Sequence, residues 1–240
     1  MSSLIGRLIP CFTAPGELQM QIDRWLLQEC IAQRQPPTLR FYQWSPVAIS
    51  LGYHQRRYPE AWHSLEYGGE SIDLVRRPTG GRAVLHQGEL TYSIVTSGIL
   101  GSKIAAYQQL CEFLIQGWQA LGVDLSYGSK GKEYRDLADC FATATGADLV
   151  LANGYKFIGS AQLIRDGALL QHGSMRLRPD LDLFSTVFGV PTMAPPSEIQ
   201  IQTIAEITAA ITAAAAEVLK INWQVQPLSN AELAEIQASS

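Results

Sequence analysis

The segment LVLANGYKFIGSAQLIRDGALLQHGSM, residues 149–175, constrains the fold more than any other part of the chain. Asn153-Gly154 and Asp166-Gly167 are dipeptides that enter the positive-φ region readily, which is what a two-residue hairpin turn demands. The runs between and around them are rich in apolar and β-branched residues. The segment therefore predicts three antiparallel strands in a meander. Successive side chains of a strand point to opposite faces. Lys156, Ile158, Ser160 and Gln162 then share one face, and Tyr155, Phe157, Gly159 and Ala161 share the other. Exposed lysine and glutamine are common, so the first row reads on its own as a solvent-facing surface. Gly159 within the strand points the other way, toward close approach by a ligand or another backbone.

Helices must cover such a sheet, and the sequence supplies them. GELQMQIDRWLLQECIAQRQPP predicts a helix over 17–35, with Leu18, Ile22, Trp25 and Leu26 at helical spacing and Pro36-Pro37 as the stop. The clearest periodicity follows a candidate cap at Ser102: Ile104, Tyr107, Cys111, Leu114, Trp118 and Leu121, ended by Gly122. Cys111 falls on that stripe and reads as a packed core residue. An Ala-rich stretch, TIAEITAAITAAAAEVLK, predicts a late helix with Ile204, Ile207 and Ile211 on one face. LRFYQW and VAISL predict two strands broken at Ser45-Pro46, SIDLVRR and LTYSIV two more, and 128–146 a long loop.

No repeat or linker divides the 240 residues, a length sufficient to bury a core without disulfide or metal staples. The expectation is one domain over 1–240, without a separate C-terminal accessory domain. Its fold class is α+β, a two-layer arrangement of a mixed, mainly antiparallel sheet flanked by helices. The net charge of −4 argues against a dedicated nucleic-acid binder. No signal peptide or membrane-length apolar run is evident, so the expected location is cytoplasmic. Cys11, Cys30, Cys111 and Cys140 lack metal-site spacing, and the chain is not cysteine-dense. Reduced thiols and no structural metal are expected.

Chemistry concentrates in two places. RRPTGGRAVLH sets Arg76, Arg77 and Arg82 around Gly80-Gly81, a cationic turn suited to a carboxylate or phosphate. It is neither a Walker loop nor a dinucleotide fingerprint. His86 closes the motif, as a base or as a hydrogen-bonding structural group. Cys140 lies in the long loop with Lys130, Lys132 and Arg135 near it in sequence, cations that favour a thiolate if they are also near in space. An incidental loop cysteine is the competing reading.

RRPTGGRAVLH, YKFIGSAQ and LLQHGSM, in that order, resemble the signature turn, the lysine strand and the following strand of the lipoate–protein ligase, octanoyltransferase and biotin–protein ligase superfamily. A cysteine shortly before the lysine hairpin resembles the LipM-type octanoyltransferase branch. The resemblance implies transfer of octanoate from octanoyl-acyl carrier protein to a lysine of a lipoyl domain or glycine cleavage H protein. It implies no cofactor, since a thioester is already activated. It assigns catalysis to Cys140, as an acyl-thioester nucleophile, and to Lys156, at the reacting carbonyl. Arg76, Arg77, Gly80, Gly81, Arg82, His86, Gly159, Ser160, Gln162 and His172 would surround the substrate. The alternatives are an ATP-dependent lipoate ligase and a non-catalytic acyl- or biotin-binding module.

Overall fold

A computed structural model describes residues 4–98, 102–128 and 148–238. The chain opens with β1 (Leu4–Ala14), α1 (Gly16–Ile31), β2 (Thr38–Trp44) and β3 (Ala48–Leu51). A short hairpin, β4 (Glu66–Tyr67) and β5 (Glu70–Ser71), precedes β6 (Asp73–Arg76), β7 (Val84–His86) and β8 (Leu90–Ser97). Then come α2 (Lys103–Ala120), β9 (Ser126–Tyr127), β10 (Leu149–Val150), β11 (Lys156–Arg165) and β12 (Ala168–Met175). The chain closes with α3 (Leu181–Phe188), α4 (Ser197–Gln200), α5 (Ile204–Leu219), β13 (Ile221–Val225) and α6 (Asn230–Ala238).

The main sheet runs β13-β1-β2-β8-β12-β11-β10-β9. β1 is parallel to β13 and β2, and the other neighbours are antiparallel. The predicted meander is β10-β11-β12. Gly154 at φ +82°, with Asp166 at +48° and Gly167 at +79°, takes the left-handed conformations that its turns require. A second sheet, β6-β3-β7, lies beside the first and carries the Gly-Gly turn between β6 and β7.

The mixed, mainly antiparallel sheet flanked by helices is as expected, and the helices lie on both of its faces. The reason is visible in β12, which is buried at every position and so needs cover on both sides. Ile94 and Leu169 join the α2–α5 core with Trp118 and Ile211, while Val95 and Leu170 join Ile22, Leu26 and Ile236 under α1 and α6. Gly117 lets α2 and α5 touch: a Cβ there would stand 2.9 Å from the Ile211 Cα.

Two local expectations need correction. α1 ends at Ile31, ahead of the two prolines, because Gln33 turns left-handed at φ +57° and the Gln33 and Arg34 amides bond back to the Cys30 and Glu29 carbonyls. Ile104 is 71% exposed, since it lies in the first turn of α2 beyond the reach of the core. The other features of α2 stand: Ser102 accepts from the Ala105 amide as the cap, and Cys111 is fully buried. Cys111→Ala removes a small buried side chain and should lower stability by about 1 kcal/mol. A denaturant midpoint that does not move would take Cys111 out of the core.

Candidate active site

The Gly-Gly turn is held by the arginines that precede it. Arg76 Nη1 donates to the carbonyls of Gly52 (2.7 Å) and Gln55 (2.8 Å). Buried Arg77 donates to the carbonyls of Ser50 (2.8 Å), Gly80 (2.8 Å) and Arg82 (2.6 Å). A planar guanidinium with five N–H groups is suited to such multiple anchoring. These arginines, which the sequence offers to an external anion, therefore bind the protein's own backbone. The Tyr53 amide donates to the Thr79 carbonyl at 2.8 Å.

Within the glycine pair, Gly81 carries the conformational requirement, at φ +99°. A Cβ on Gly81 would stand 2.7 Å from Arg77 Nη2, whose guanidinium is already committed to two turn carbonyls. Gly52 makes the turn's seat, because a Cβ there would fall 1.9 Å from the Gly81 carbonyl oxygen. Gly81→Val should cost about 1–3 kcal/mol of stability through backbone strain. Displacement of the turn should slow the reaction by about tenfold to a hundredfold. A variant with unchanged melting temperature and unchanged turnover would show that the turn tolerates a side chain.

Two histidines stand beside the turn, each between a carboxylate and a hydroxyl. His86 meets Glu89 at Nδ1 (2.9 Å) and Ser50 Oγ at Nε2 (2.7 Å), and stacks on Trp44 with ring centroids 3.8 Å apart. His172, on β12, meets Asp23 at Nδ1 (2.7 Å) and Thr79 Oγ1 at Nε2 (2.6 Å). Asp23 is itself fully buried and paired with Arg40 at 3.0 Å. The charge of Arg40 and the hydrogen bond from His172 hold its carboxyl below the usual range despite burial, which alone would raise it.

Lys156 overturns the solvent-facing reading of its row. It is 5% exposed and its ammonium lies 2.8 Å from the carboxylate of buried Asp148. Ser160 Oγ meets the Tyr92 hydroxyl at 2.8 Å, and Gln162 reaches Gln171, which bonds the same tyrosine at 2.9 Å. Gly173 leaves room for this contact: a Cβ there would stand 2.5 Å from Ser160 Oγ. Burial pushes the Tyr92 hydroxyl well above the ordinary range, so it remains a hydrogen-bonding group.

A cavity of about 310 Å³ joins the two regions. Arg77, Gly80, Gly81 and His86 from the turn region line it together with Lys156, Gly159, Ser160, Gln162 and His172 from β11 and β12. Arg76 and Arg82 are not part of its lining. Cys140 lies outside the described residues, so its expected place at the site has no geometry here. The described chain stops at Gly128 and resumes at Asp148, and the Gly128 amide donates to the Asp148 carbonyl at 2.9 Å. Sequence reasoning missed Ser50, Thr79, Glu89, Asp23 and Asp148. Thr79 and Glu89 sit inside the stretch that begins at Arg76, and Asp148 lies just before the lysine hairpin.

A cationic and hydroxyl-bearing cavity floored by bare backbone suits an acyl carbonyl and the charge that develops on it. Comparison with known proteins adds to this geometry. The family model for the lipoyl protein ligase A/B catalytic domain matches residues 15–230. Octanoyltransferase LipM of Carboxydothermus hydrogenoformans is 41% identical over 181 residues, covering 73% of this chain and 66% of that protein. Octanoyltransferase LipM of Symbiobacterium thermophilum is 37% identical over 84% of this chain and 76% of its own. The Bacillus subtilis protein of the same name is 35% identical over 78% and 70%. Two solved structures share the fold. Lipoate-protein ligase A bound with ATP has a TM-score of 0.77 at 24% identity, covering 98% of this chain and 94% of that one. The bi-partite lipoate protein ligase from Thermoplasma acidophilum has a TM-score of 0.74 at 23% identity, covering 98% and 91%.

Proposed function

The chain belongs to the lipoyl protein ligase A/B catalytic-domain family, and on that premise we propose that it is an octanoyltransferase of protein lipoylation. Its donor is octanoyl-acyl carrier protein. Its acceptor is a lysine of a lipoyl domain or of glycine cleavage H protein. The observation that carries this reading is the buried Lys156–Asp148 pair lining one cavity with the Gly81 turn, in a chain 35–41% identical to the three named octanoyltransferases.

The reaction proceeds in two steps. The Cys140 thiolate attacks the donor carbonyl, a new C–S bond forms, the donor's C–S bond breaks, and the carrier leaves as a thiolate that takes a proton from water. The acceptor lysine's neutral amine then attacks the enzyme thioester, the C–N bond of the amide forms as the C–S bond to Cys140 breaks, the amine's proton passes to water, and the Cys140 thiolate is regenerated. In each step negative charge gathers on the carbonyl oxygen. Lys156 meets it with an ammonium group that Asp148 fixes in place. The turn meets it with backbone amides, because the carbonyls of Thr79, Gly80 and Arg82 are turned toward Tyr53 and Arg77. The apolar part of the cavity takes the acyl chain, at about 0.8 kcal/mol per buried methylene.

The test is reconstitution without ATP. Octanoyl-carrier protein, the enzyme and a lipoyl domain should yield octanoylated domain, read by its mass. Lipoate-driven ATP–pyrophosphate exchange without transfer from the thioester would make the chain a ligase. Binding of octanoate with neither reaction would make it a binding module.

A further inference from the structure

We propose that Asp23, on α1, is a positioning residue for the acyl-transfer site, acting through His172 to fix Thr79 and with it the Gly-Gly turn. The proposal rests on the functional reading above, and nothing in the motif itself points to α1.

The connection is continuous and buried. Asp23 is 0% exposed; its Oδ1 accepts from Arg40 Nε at 3.0 Å, and its Oδ2 accepts from the Tyr42 hydroxyl at 3.2 Å and from His172 Nδ1 at 2.7 Å. A carboxylate only accepts, so the contact requires His172 Nδ1 to bear the hydrogen. In the neutral ring Nε2 is then an acceptor, and at 2.6 Å it takes the hydrogen of the Thr79 hydroxyl. Asp23 thereby selects the tautomer, and the tautomer selects the direction of the hydroxyl. Burial, together with the nearby charge of Arg77, holds His172 below the ordinary imidazole range against the pull of Asp23, which keeps Nε2 available as an acceptor.

Thr79 is where this chain meets the turn. Its carbonyl is held by the Tyr53 amide, and the next carbonyl, that of Gly80, by Arg77. The hydroxyl contact to His172 fixes the side chain of the same residue from the opposite side, through β12. Without it, Thr79 is held by its backbone alone, and the amides that follow it lose one point of registration. Loss of that registration would act on the reaction more than on binding, because it misplaces the amides that meet the reacting carbonyl.

The experiment is a mutant cycle read in kcat and KM for octanoyl-carrier protein. Thr79→Val keeps the shape and removes the hydroxyl. It should lower kcat by about tenfold with KM within about twofold, and Thr79→Ser should restore most of the lost turnover. His172→Asn should cost a similar factor, and Thr79→Val combined with His172→Asn should be no slower than the worse single variant, because both break one chain. A Thr79→Val enzyme at the wild-type rate, or a double variant that loses the product of the two factors, would overturn the proposal. Imidazole ¹⁵N shifts give a second readout that does not depend on turnover, with His172 assigned by its loss in His172→Asn. Nδ1 should bear the hydrogen in the wild type, and Nε2 should shift in Thr79→Val. A hydrogen on Nε2 instead, or no response to Thr79→Val, sinks the chain of contacts. A wild-type enzyme that transfers no octanoate while the nitrogen shifts behave as stated would sink the octanoyltransferase reading and not the wiring.

Discussion

Lys156→Ala is expected to lower octanoyl transfer by about two to three orders of magnitude at saturating substrates, the loss that follows removal of one well-placed donor to a developing oxyanion. The same substitution has a second consequence, because Lys156 and Asp148 are 5% and 4% exposed and paired at 2.8 Å. Removing one partner of a buried pair leaves the other charge without its counter-ion and costs about 3–5 kcal/mol. A drop in activity alone would thus confuse chemistry with unfolding. Replacing both partners with apolar residues of similar volume, Lys156→Met with Asp148→Leu, separates them: stability should return to near wild type while turnover stays low. Asp148→Asn keeps the shape and weakens the hold on the ammonium, and should give an intermediate rate in a folded protein. If Lys156→Ala changes turnover by less than threefold, the ammonium does not act on the reacting carbonyl.

The parts of the fold that were readable are those with local signals. Asn153-Gly154, Asp166-Gly167, the Ser102 cap and the stripe from Tyr107 to Trp118 each state their structure within a few residues, and β10-β11-β12 and α2 follow from them. β1 and β13 were not readable. They pair in parallel across more than two hundred residues, Leu4 with Ile221 and Leu8 with Val225, and Pro10 interrupts the alternation of β1. Parallel pairing has no turn to announce it. The same division runs through the site. The resemblance placed Arg77, Gly80, Gly81, His86, Lys156, Ser160, Gln162 and His172 in one neighbourhood, and one cavity joins them. It did not foresee that Arg76 and Arg77 grip their own backbone. Nor could it mark Asp23, Glu89 and Asp148, because an acidic residue in sequence carries no sign of its burial. What distinguishes these carboxylates is the cation or imidazole that the fold brings to each.

Cys140→Ala is expected to abolish both the enzyme-bound octanoyl thioester and the transfer that proceeds through it. The described cysteines are poor competitors for the nucleophile's role. Burial pushes the Cys11 thiol up to about 11 and Cys111 to about 12, and raises Cys30 as well. A thiol with so high a pKa is almost wholly protonated near neutral pH, and the thiolate is the attacking species. In the sequence Cys140 precedes Asp148, the ion-pair partner of Lys156, by eight residues. Intact-protein mass spectrometry after mixing with octanoyl-carrier protein, in the absence of acceptor, reads the adduct directly. The wild type and Cys111→Ala should both gain one octanoyl group, and Cys140→Ala should gain none. Addition of a lipoyl domain should then remove the group from the enzyme and place it on the domain. Transfer by Cys140→Ala at the wild-type rate would mean that the acceptor amine attacks the carrier thioester directly, with Lys156 and the turn acting on a single tetrahedral step.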